Sequence, residues 1–186
     1  MDGIKAEIMD GQVMARSVTR ISCEIVERNR GAENLLLVGI RRRGAVLARR
    51  ISARLEETEG KNVPVIELDV TRFRDDRQRE RGAAPPDLGG FDLSLKTVVI
   101  IDDVLHTGRT ARAAMEAVLL AGRAGLIQLA VLVDRGHREL PIRPDYVGKN
   151  LPTSKEEKVR VLVYEYDGRE GVVITKKGGG GDADGK

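Results

Sequence analysis

Residues 98–110 read Val-Val-Ile-Ile-Asp-Asp-Val-Leu-His-Thr-Gly-Arg-Thr. Val98, Val99, Ile100 and Ile101 are β-branched and apolar without interruption, the pattern of a strand buried on both faces of a parallel sheet. Asp102 and Asp103 stand where that strand is expected to end, and Thr107-Gly108-Arg109-Thr110 leads into an alanine-rich helical pattern from Ala111. A loop opening into a helix leaves backbone N–H groups unpaired and aims partial positive charge outward, which suits an anion. The dipole alone contributes only about 0.3–1 kcal/mol. Selectivity therefore needs converging donors: the hydroxyls of Thr107 and Thr110, the Arg109 guanidinium, and a close backbone approach at Gly108. Two carboxylates beside a phosphate repel it unless they face something else, such as sugar hydroxyls, a divalent cation or a carbon that becomes positive during reaction. A phosphorylated sugar with a cationic transition state accounts for both halves. The plainer alternative is a strand capped by acids and followed by an ordinary N-capped helix.

Outside this stretch, composition sets bounds. The 186 residues suit one domain with a substantial core, and with 3% aromatics that core must be aliphatic. Cys23 is the only cysteine, so no internal disulfide can form. No apolar run long enough to span a bilayer and no signal-peptide pattern is visible, and a soluble cytoplasmic protein is expected. The formal charge of +3 excludes a dedicated nucleic-acid coat and leaves local arginine clusters to carry any contact with anions.

Taken in order, Val13–Arg28 places Val13, Met14, Val18, Ile21, Ile25 and Val26 at helical spacing, with Arg16, Thr19, Arg20, Glu24 and Arg28 on the other face, either a solvated surface or an RNA contact. Leu35–Ile40 is a second apolar strand. It is followed by Gly39-Ile40-Arg41-Arg42-Arg43-Gly44 and a helix from about Ala45 to Glu57, so a second strand–loop–helix unit concentrates positive charge where a helix start already favours anions. Val63–Val70 is a further strand. Residues 74–90 hold Arg74, Arg77, Arg79 and Arg81 among prolines and glycines, too polar for core and long for a loop, which reads as a mobile lid or a disordered connector. The helix from Thr110 to about Ala121 precedes a buried strand, Ile127–Val133, and then Asp134-Arg135-Gly136-His137-Arg138-Glu139-Leu140-Pro141-Ile142-Arg143. In an open α/β sheet the loops beyond the carboxyl ends of strands build the binding crevice, so this segment is the candidate base pocket. His137 is a possible base or a hydrogen-bonding group, and His106 has no visible partner. Val159–Tyr164 and Val172–Thr175, joined by Asp167-Gly168, form a terminal hairpin, and 178–186 a flexible Gly-rich tail after a domain of residues 1–177.

The central stretch resembles the 5-phosphoribosyl-1-pyrophosphate (PRPP) signature of type I phosphoribosyltransferases. That resemblance implies a single-domain α/β fold with a mainly parallel central sheet flanked by helices, a flexible hood loop and a C-terminal hairpin. Residues 67–76, Gln128–Ile142 and Val147–Ser154 (Val-Gly-Lys-Asn-Leu-Pro-Thr-Ser) resemble, more narrowly, the bacterial pyrimidine operon regulators, which combine uracil phosphoribosyltransferase activity with uridine-nucleotide-dependent binding to pyrimidine operon messenger RNA. The implied reaction joins uracil to PRPP, giving UMP and pyrophosphate, with Mg²⁺ held through PRPP and no metal bound directly by protein. Asp102 and Asp103 then orient the ribose hydroxyls and stabilise the oxocarbenium-like ribose, with Arg43 facing the leaving charge. Arg43, Gly44 and residues Val104, Leu105, His106, Thr107, Gly108, Arg109 and Thr110 hold the phosphates, Arg74, Arg77, Arg79 and Arg81 close as a lid, and Arg135 lines the base pocket. Thr19, Arg20, Arg138, Arg143 and Lys149 are the implied contacts to an mRNA hairpin, on a homodimer or higher homo-oligomer, with UMP or UTP as effector. Cys23 and Arg42 depart from the family, which commonly has histidine and threonine there. Three functions stay open: the bifunctional protein, a nucleotide-sensing RNA-binding regulator with negligible catalysis, and a phosphoribosyltransferase without RNA function.

Overall fold

The computed structural model describes residues 3–75 and 84–176. Five parallel strands form the central sheet: β2 (Leu35–Ile40), β3 (Val65–Leu68), β4 (Thr97–Leu105), β5 (Leu126–Asp134) and β6 (Tyr146–Asn150), in the order β3-β2-β4-β5-β6. Successive strand residues point to opposite faces, so an uninterrupted apolar run supplies two cores at once. Leu35, Leu37, Val99, Ile101, Ala130 and Leu132 pack on one side, against α1 (Gly11–Asn29) and α2 (Arg43–Glu59). Leu36, Val38, Val98, Ile100, Leu129 and Val131 pack on the other, against α3 (Arg109–Ala121). Because Ile100 is fully buried, truncating it to alanine would cost about 2–5 kcal/mol.

A second, antiparallel sheet joins the two ends of the described chain. β1 (Ile4–Asp10) pairs with β8 (Gly171–Lys176), which pairs with β7 (Glu157–Leu162). Between β7 and β8 lies a one-turn helix, α4 (Tyr164–Asp167), closed by Gly168 at φ +66°. This sheet is the hood over the carboxyl end of the central one.

Several sequence expectations shift. β4 does not end at the acids: it carries Asp102 and Asp103 inside it and runs on to Leu105, because β5 continues to pair with it as far as Asp134. Arg43 and Gly44 belong to the first turn of α2, not to the loop before it. The terminal hairpin is antiparallel as expected, but α4 replaces the tight Asp-Gly turn. Two strands, β1 and β6, have no counterpart in the sequence reading. Both are mixed in polarity, and each gains its strand character from a neighbour, β8 or β5, that lies far away or beyond a loop. The segment 74–90 is less polar in role than in composition, since Leu88 is buried in the α3-side core. Arg77, Arg79, Arg81 and the 178–186 tail lie outside the described residues. Among the described residues no helix is long and apolar enough to cross a membrane.

Candidate active site

The sheet order places a switch point between β2 and β4. The chain leaves β2 for β3 on one side and leaves β4 for β5 on the other, so the loops after β2 and β4 diverge and a crevice opens between them. β2 pairs with β4 only as far as Gly39 opposite Ile101. Beyond that point β4 extends alone beside β5, and the first two residues of the extension are Asp102 and Asp103. The acids are thus held on rigid strand backbone at the mouth of the crevice.

Their backbone is locked by their own side chains. Asp102 Oδ1 accepts the N–H of Asp103 at 2.9 Å, and Asp103 Oδ1 accepts that of Val104 at 2.9 Å. Burial, followed by the charge of Asp103, holds the Asp102 carboxyl well above its ordinary pKa. Burial also raises Asp103, partly offset by a hydrogen bond with Asp102 and by the positive charge of Arg43. Two desolvated carboxylates in contact are costly in the free protein, and the arrangement makes sense when they meet hydroxyl donors or a developing positive charge.

The loop from His106 to Thr110 leads from these acids into α3. Gly108, at φ +91°, is the residue before the helix, and a side chain there would be strained. Thr107 Oγ1 accepts the Arg109 N–H at 3.3 Å, and its carbonyl accepts the N–H groups of Glu139 and Leu140 at 3.0 and 3.1 Å, so the β5–β6 loop is folded onto the 106–110 loop. Arg109 is not an idle cation: Nε donates to Glu139 at 2.7 Å and Nη1 to Asp75 at 2.9 Å. Arg74 Nη1 donates to Thr110 Oγ1 at 3.0 Å. Arg74, Asp75, His106, Thr107, Arg109 and Glu139 line an open cleft of about 530 Å³. His106 stands in this cleft with its ring edge-on to His137, 6.0 Å between centroids, and burial, then the charges of Arg135 and His137, hold its pKa below the ordinary value.

On the other side of the crevice, α2 begins against β4. A Cβ on Gly44 would lie 2.5 Å from the Ile101 carbonyl oxygen and 3.3 Å from Asp102 Cα, and one on Gly39 would lie 2.5 Å from Ala45 Cα. Both glycines are there for close backbone approach. Arg43, one residue before Gly44, donates from Nη2 to Asp167 in the hood at 3.0 Å. Its charge is felt at Asp103.

The remaining candidates are placed unevenly. Arg135 is buried; its Nε donates to Thr153 Oγ1 at 3.1 Å and its Nη2 to the Ser154 carbonyl at 3.2 Å, so the side chain fastens the β6–β7 loop. His137, at φ +58°, approaches the Thr153 carbonyl through Nε2 at 2.5 Å. Arg138 is turned inward: it donates to the carbonyls of Ile142 and His106, each at 2.8 Å, and to Asp134 at 2.5 Å. It supports the 106–110 loop from inside and does not present a free edge to solvent. Thr19 and Arg20 lie on α1 beside the edge strand β6, which carries the exposed Lys149, and Arg20 Nη2 caps the Val147 and Gly148 carbonyls at 2.9 and 2.6 Å. Exposed Cys23 is one turn from Thr19. Arg143 is exposed on the β5–β6 loop.

Asp75, Glu139, Thr153 and Asp167, which hold the arginines of this site, were not singled out by sequence reasoning. Each is remote in the chain from the arginine it holds, and nothing local marks it. Among the described residues no group of three or more His, Cys, Asp or Glu side chains is arranged to hold a metal ion.

Comparison with known proteins agrees with this architecture. Residues 5–167 match the phosphoribosyl transferase domain family. The chain is 51% identical to the bifunctional protein PyrR of Limosilactobacillus fermentum, covering 92% of this chain and 98% of that one. It is 54% identical to the bifunctional protein PyrR of Pelotomaculum thermopropionicum, covering 92% and 96%. The hypoxanthine phosphoribosyltransferase of Trypanosoma cruzi in complex with the product IMP shares the fold, with a TM-score of 0.69 at 16% identity over 95% of this chain and 92% of that one. A hypoxanthine phosphoribosyltransferase of Staphylococcus aureus does so with a TM-score of 0.66 at 18% identity, over 94% of each chain. With the fold, the switch-point crevice and identities above one half in agreement, the chain belongs to the phosphoribosyl transferase domain family and, within it, to the bifunctional PyrR proteins.

Proposed function

We propose that this protein is a bifunctional regulator of pyrimidine biosynthesis: a uracil phosphoribosyltransferase that makes UMP and pyrophosphate from uracil and PRPP, and a uridine-nucleotide-dependent binder of pyrimidine operon mRNA. The observation that carries the catalytic half is the lone extension of β4, which holds Asp102 and Asp103 between a phosphate loop at the start of α3 and an arginine at the start of α2.

In this reading the 5′-phosphate sits at Thr107–Thr110, on the N–H groups of the α3 start. The ribose hydroxyls meet Asp102 and Asp103. Mg²⁺ arrives with PRPP and supplies charge neutralisation for its diphosphate. As the bond from C1′ to the pyrophosphate oxygen breaks, the two carboxylates stabilise the positive charge gathering on the ribose, and Arg43 faces the departing negative charge. Uracil N1 then closes the new bond to C1′, its proton passing to the departing pyrophosphate. No covalent intermediate with the protein is needed, and most of the rate enhancement falls to positioning and electrostatics. Arg74, already bonded to Thr110, ties the lid segment to the phosphate loop, and the 135–142 and 151–154 loops fastened by Arg135 line the base side.

The regulatory half rests on the α1–β6 edge, where Thr19, Arg20 and Lys149 are neighbours, with Arg143 nearby in sequence. With aromatics at 3% of residues, recognition of RNA would run through phosphates and hydrogen bonds more than base stacking. Cytoplasmic placement and homo-oligomerisation complete the reading.

The test is UMP formation from uracil, PRPP and Mg²⁺, with hypoxanthine and orotate in parallel, followed by binding to a pyrimidine operon hairpin against a scrambled control across a salt series. Turnover of uracil alone is expected, with salt-dependent preference for the hairpin that UMP strengthens. No turnover with any base, while PRPP still binds, would reduce the protein to a sensor. Equal affinity for the scrambled RNA would leave an enzyme without RNA function.

A further inference from the structure

Arg43 is the cation of the site that reaches out of the central sheet into the hood. Its Nη2 lies 3.0 and 3.2 Å from the two carboxylate oxygens of Asp167, and the side chains are 21% and 12% exposed. Asp167 is itself fixed: its Oδ2 accepts the Val163 N–H at 2.9 Å, and its own N–H donates to the Val163 carbonyl at 2.8 Å. Arg43 Nε, in contrast, is buried and meets no acceptor among the described residues. A planar guanidinium anchored at Nη2 and buried at Nε is held in one orientation, with only part of its edge open to solvent. The start of α2 that carries it touches β4 at Ile101 and Asp102, and the positive charge of Arg43 is felt at Asp103.

We propose that Asp167 is a positioning residue for the transfer reaction, one that fixes the Arg43 guanidinium so that its remaining exposed edge and its charge face the diphosphate arm of the sugar substrate. This rests on the reading of the site given above. Asp167 does not touch the reacting atoms; it acts through Arg43. Without the carboxylate, Arg43 loses its fixed direction and diphosphate must order the side chain itself.

The hood contains its own control. Arg50, two turns further along α2, pairs with Glu165 at 3.0 Å and also with Glu170. These pairs tether the same α4 region to the same helix without approaching the acids. If Asp167 were only a tether, loosening either clamp would have the same effect.

Steady-state kinetics and calorimetric binding of PRPP with Mg²⁺ on Asp167→Asn, Arg50→Gln and wild type separate the two. Asp167→Asn is expected to raise both the KM and the Kd for PRPP about tenfold and to leave the KM for uracil unchanged. Asp167→Glu, which keeps the charge, is expected to restore the PRPP constants to within about threefold, and Arg50→Gln to leave them as in wild type. In an Arg43→Lys background, Asp167→Asn should add less than about twofold, since residues acting through one another are not additive. Unchanged PRPP constants in Asp167→Asn, or equal rises for PRPP and uracil in both Asp167→Asn and Arg50→Gln, would overturn the assignment. Because calorimetry reads PRPP binding without turnover, a wild type that binds PRPP but makes no UMP would refute the catalytic reading while leaving Asp167 testable.

Discussion

The starts of α2 and α3 face each other across the crevice and are built from the same parts, a parallel strand, a glycine and an arginine, yet they use those parts differently. At α3, Gly108 is required for its conformation, at φ +91°, and a Cβ there would find its nearest neighbour at 3.4 Å. At α2, Gly44 is required for space, since a Cβ would press to 2.5 Å on the Ile101 carbonyl oxygen. The arginines diverge in the same way. Arg109, 31% exposed, is shared between Asp75 and Glu139, while Arg43, 21% exposed, is held by one carboxylate of the hood. One helix start opens on a cleft with its arginine between two carboxylates, and the other is a close-packed wall whose arginine is held by one. That asymmetry suits a substrate with a phosphate to be held at one end and a diphosphate to be released at the other.

The largest expected effect comes from the wall. Gly44→Ala must displace backbone against backbone and is expected to destabilise the fold by about 3 kcal/mol in urea unfolding, as overpacking does. Gly108→Ala should cost less, about 1–2 kcal/mol for the left-handed conformation, because its side chain has room. Equal losses at the two glycines would erase the distinction between space and conformation. Next comes the pH dependence of the acids between the two helices. The folded protein keeps a proton on Asp102 at pH values where the unfolded chain has released it, so Asp102 makes stability fall as pH rises from the ordinary carboxylate range through the raised folded value. The slope is at most about 1.4 kcal/mol per pH unit for one proton. Asp102→Asn is expected to remove that fall, raising Tm at neutral pH relative to wild type while activity drops; a variant that melts with the wild-type pH profile would show that Asp102 is not the group concerned. The smallest effect belongs to the cleft side. Arg109→Gln breaks partly exposed ion pairs and should change stability by less than about 1 kcal/mol, with a loss of PRPP affinity that calorimetry reads separately.

How far the sequence reached follows from what each feature depends on. The β4 run with its two acids and the loop opening into α3 were legible because a doubly buried strand and a glycine-bearing helix start are local patterns, complete within a dozen or so residues. The second unit at Gly39–Gly44 was legible for the same reason, although its arginine was assigned to the loop and not to the helix. β1 and β6 were not legible: Ile4–Asp10 is a strand because β8 pairs with it, and Tyr146–Asn150 because β5 does, and neither partner leaves a mark in the segment itself. The same holds for the carboxylates that aim the site. Asp167 reads as half of an Asp-Gly turn, Glu139 as one charge in a polar loop, and only the fold shows that they hold Arg43 and Arg109. Arg138 illustrates the converse, a loop arginine expected to face RNA that the fold turns inward onto the His106 carbonyl and Asp134.

The most direct test of the account compares kcat/KM for UMP formation by Asp103→Asn and by wild type, with uracil, PRPP and Mg²⁺. A loss of at least about tenfold, or about 1.4 kcal/mol of transition-state stabilisation, is expected if the carboxylates at the β4 extension meet the charged ribose. Wild-type rates in the variant would contradict that role and, with it, the reading of the crevice as the site of phosphoribosyl transfer.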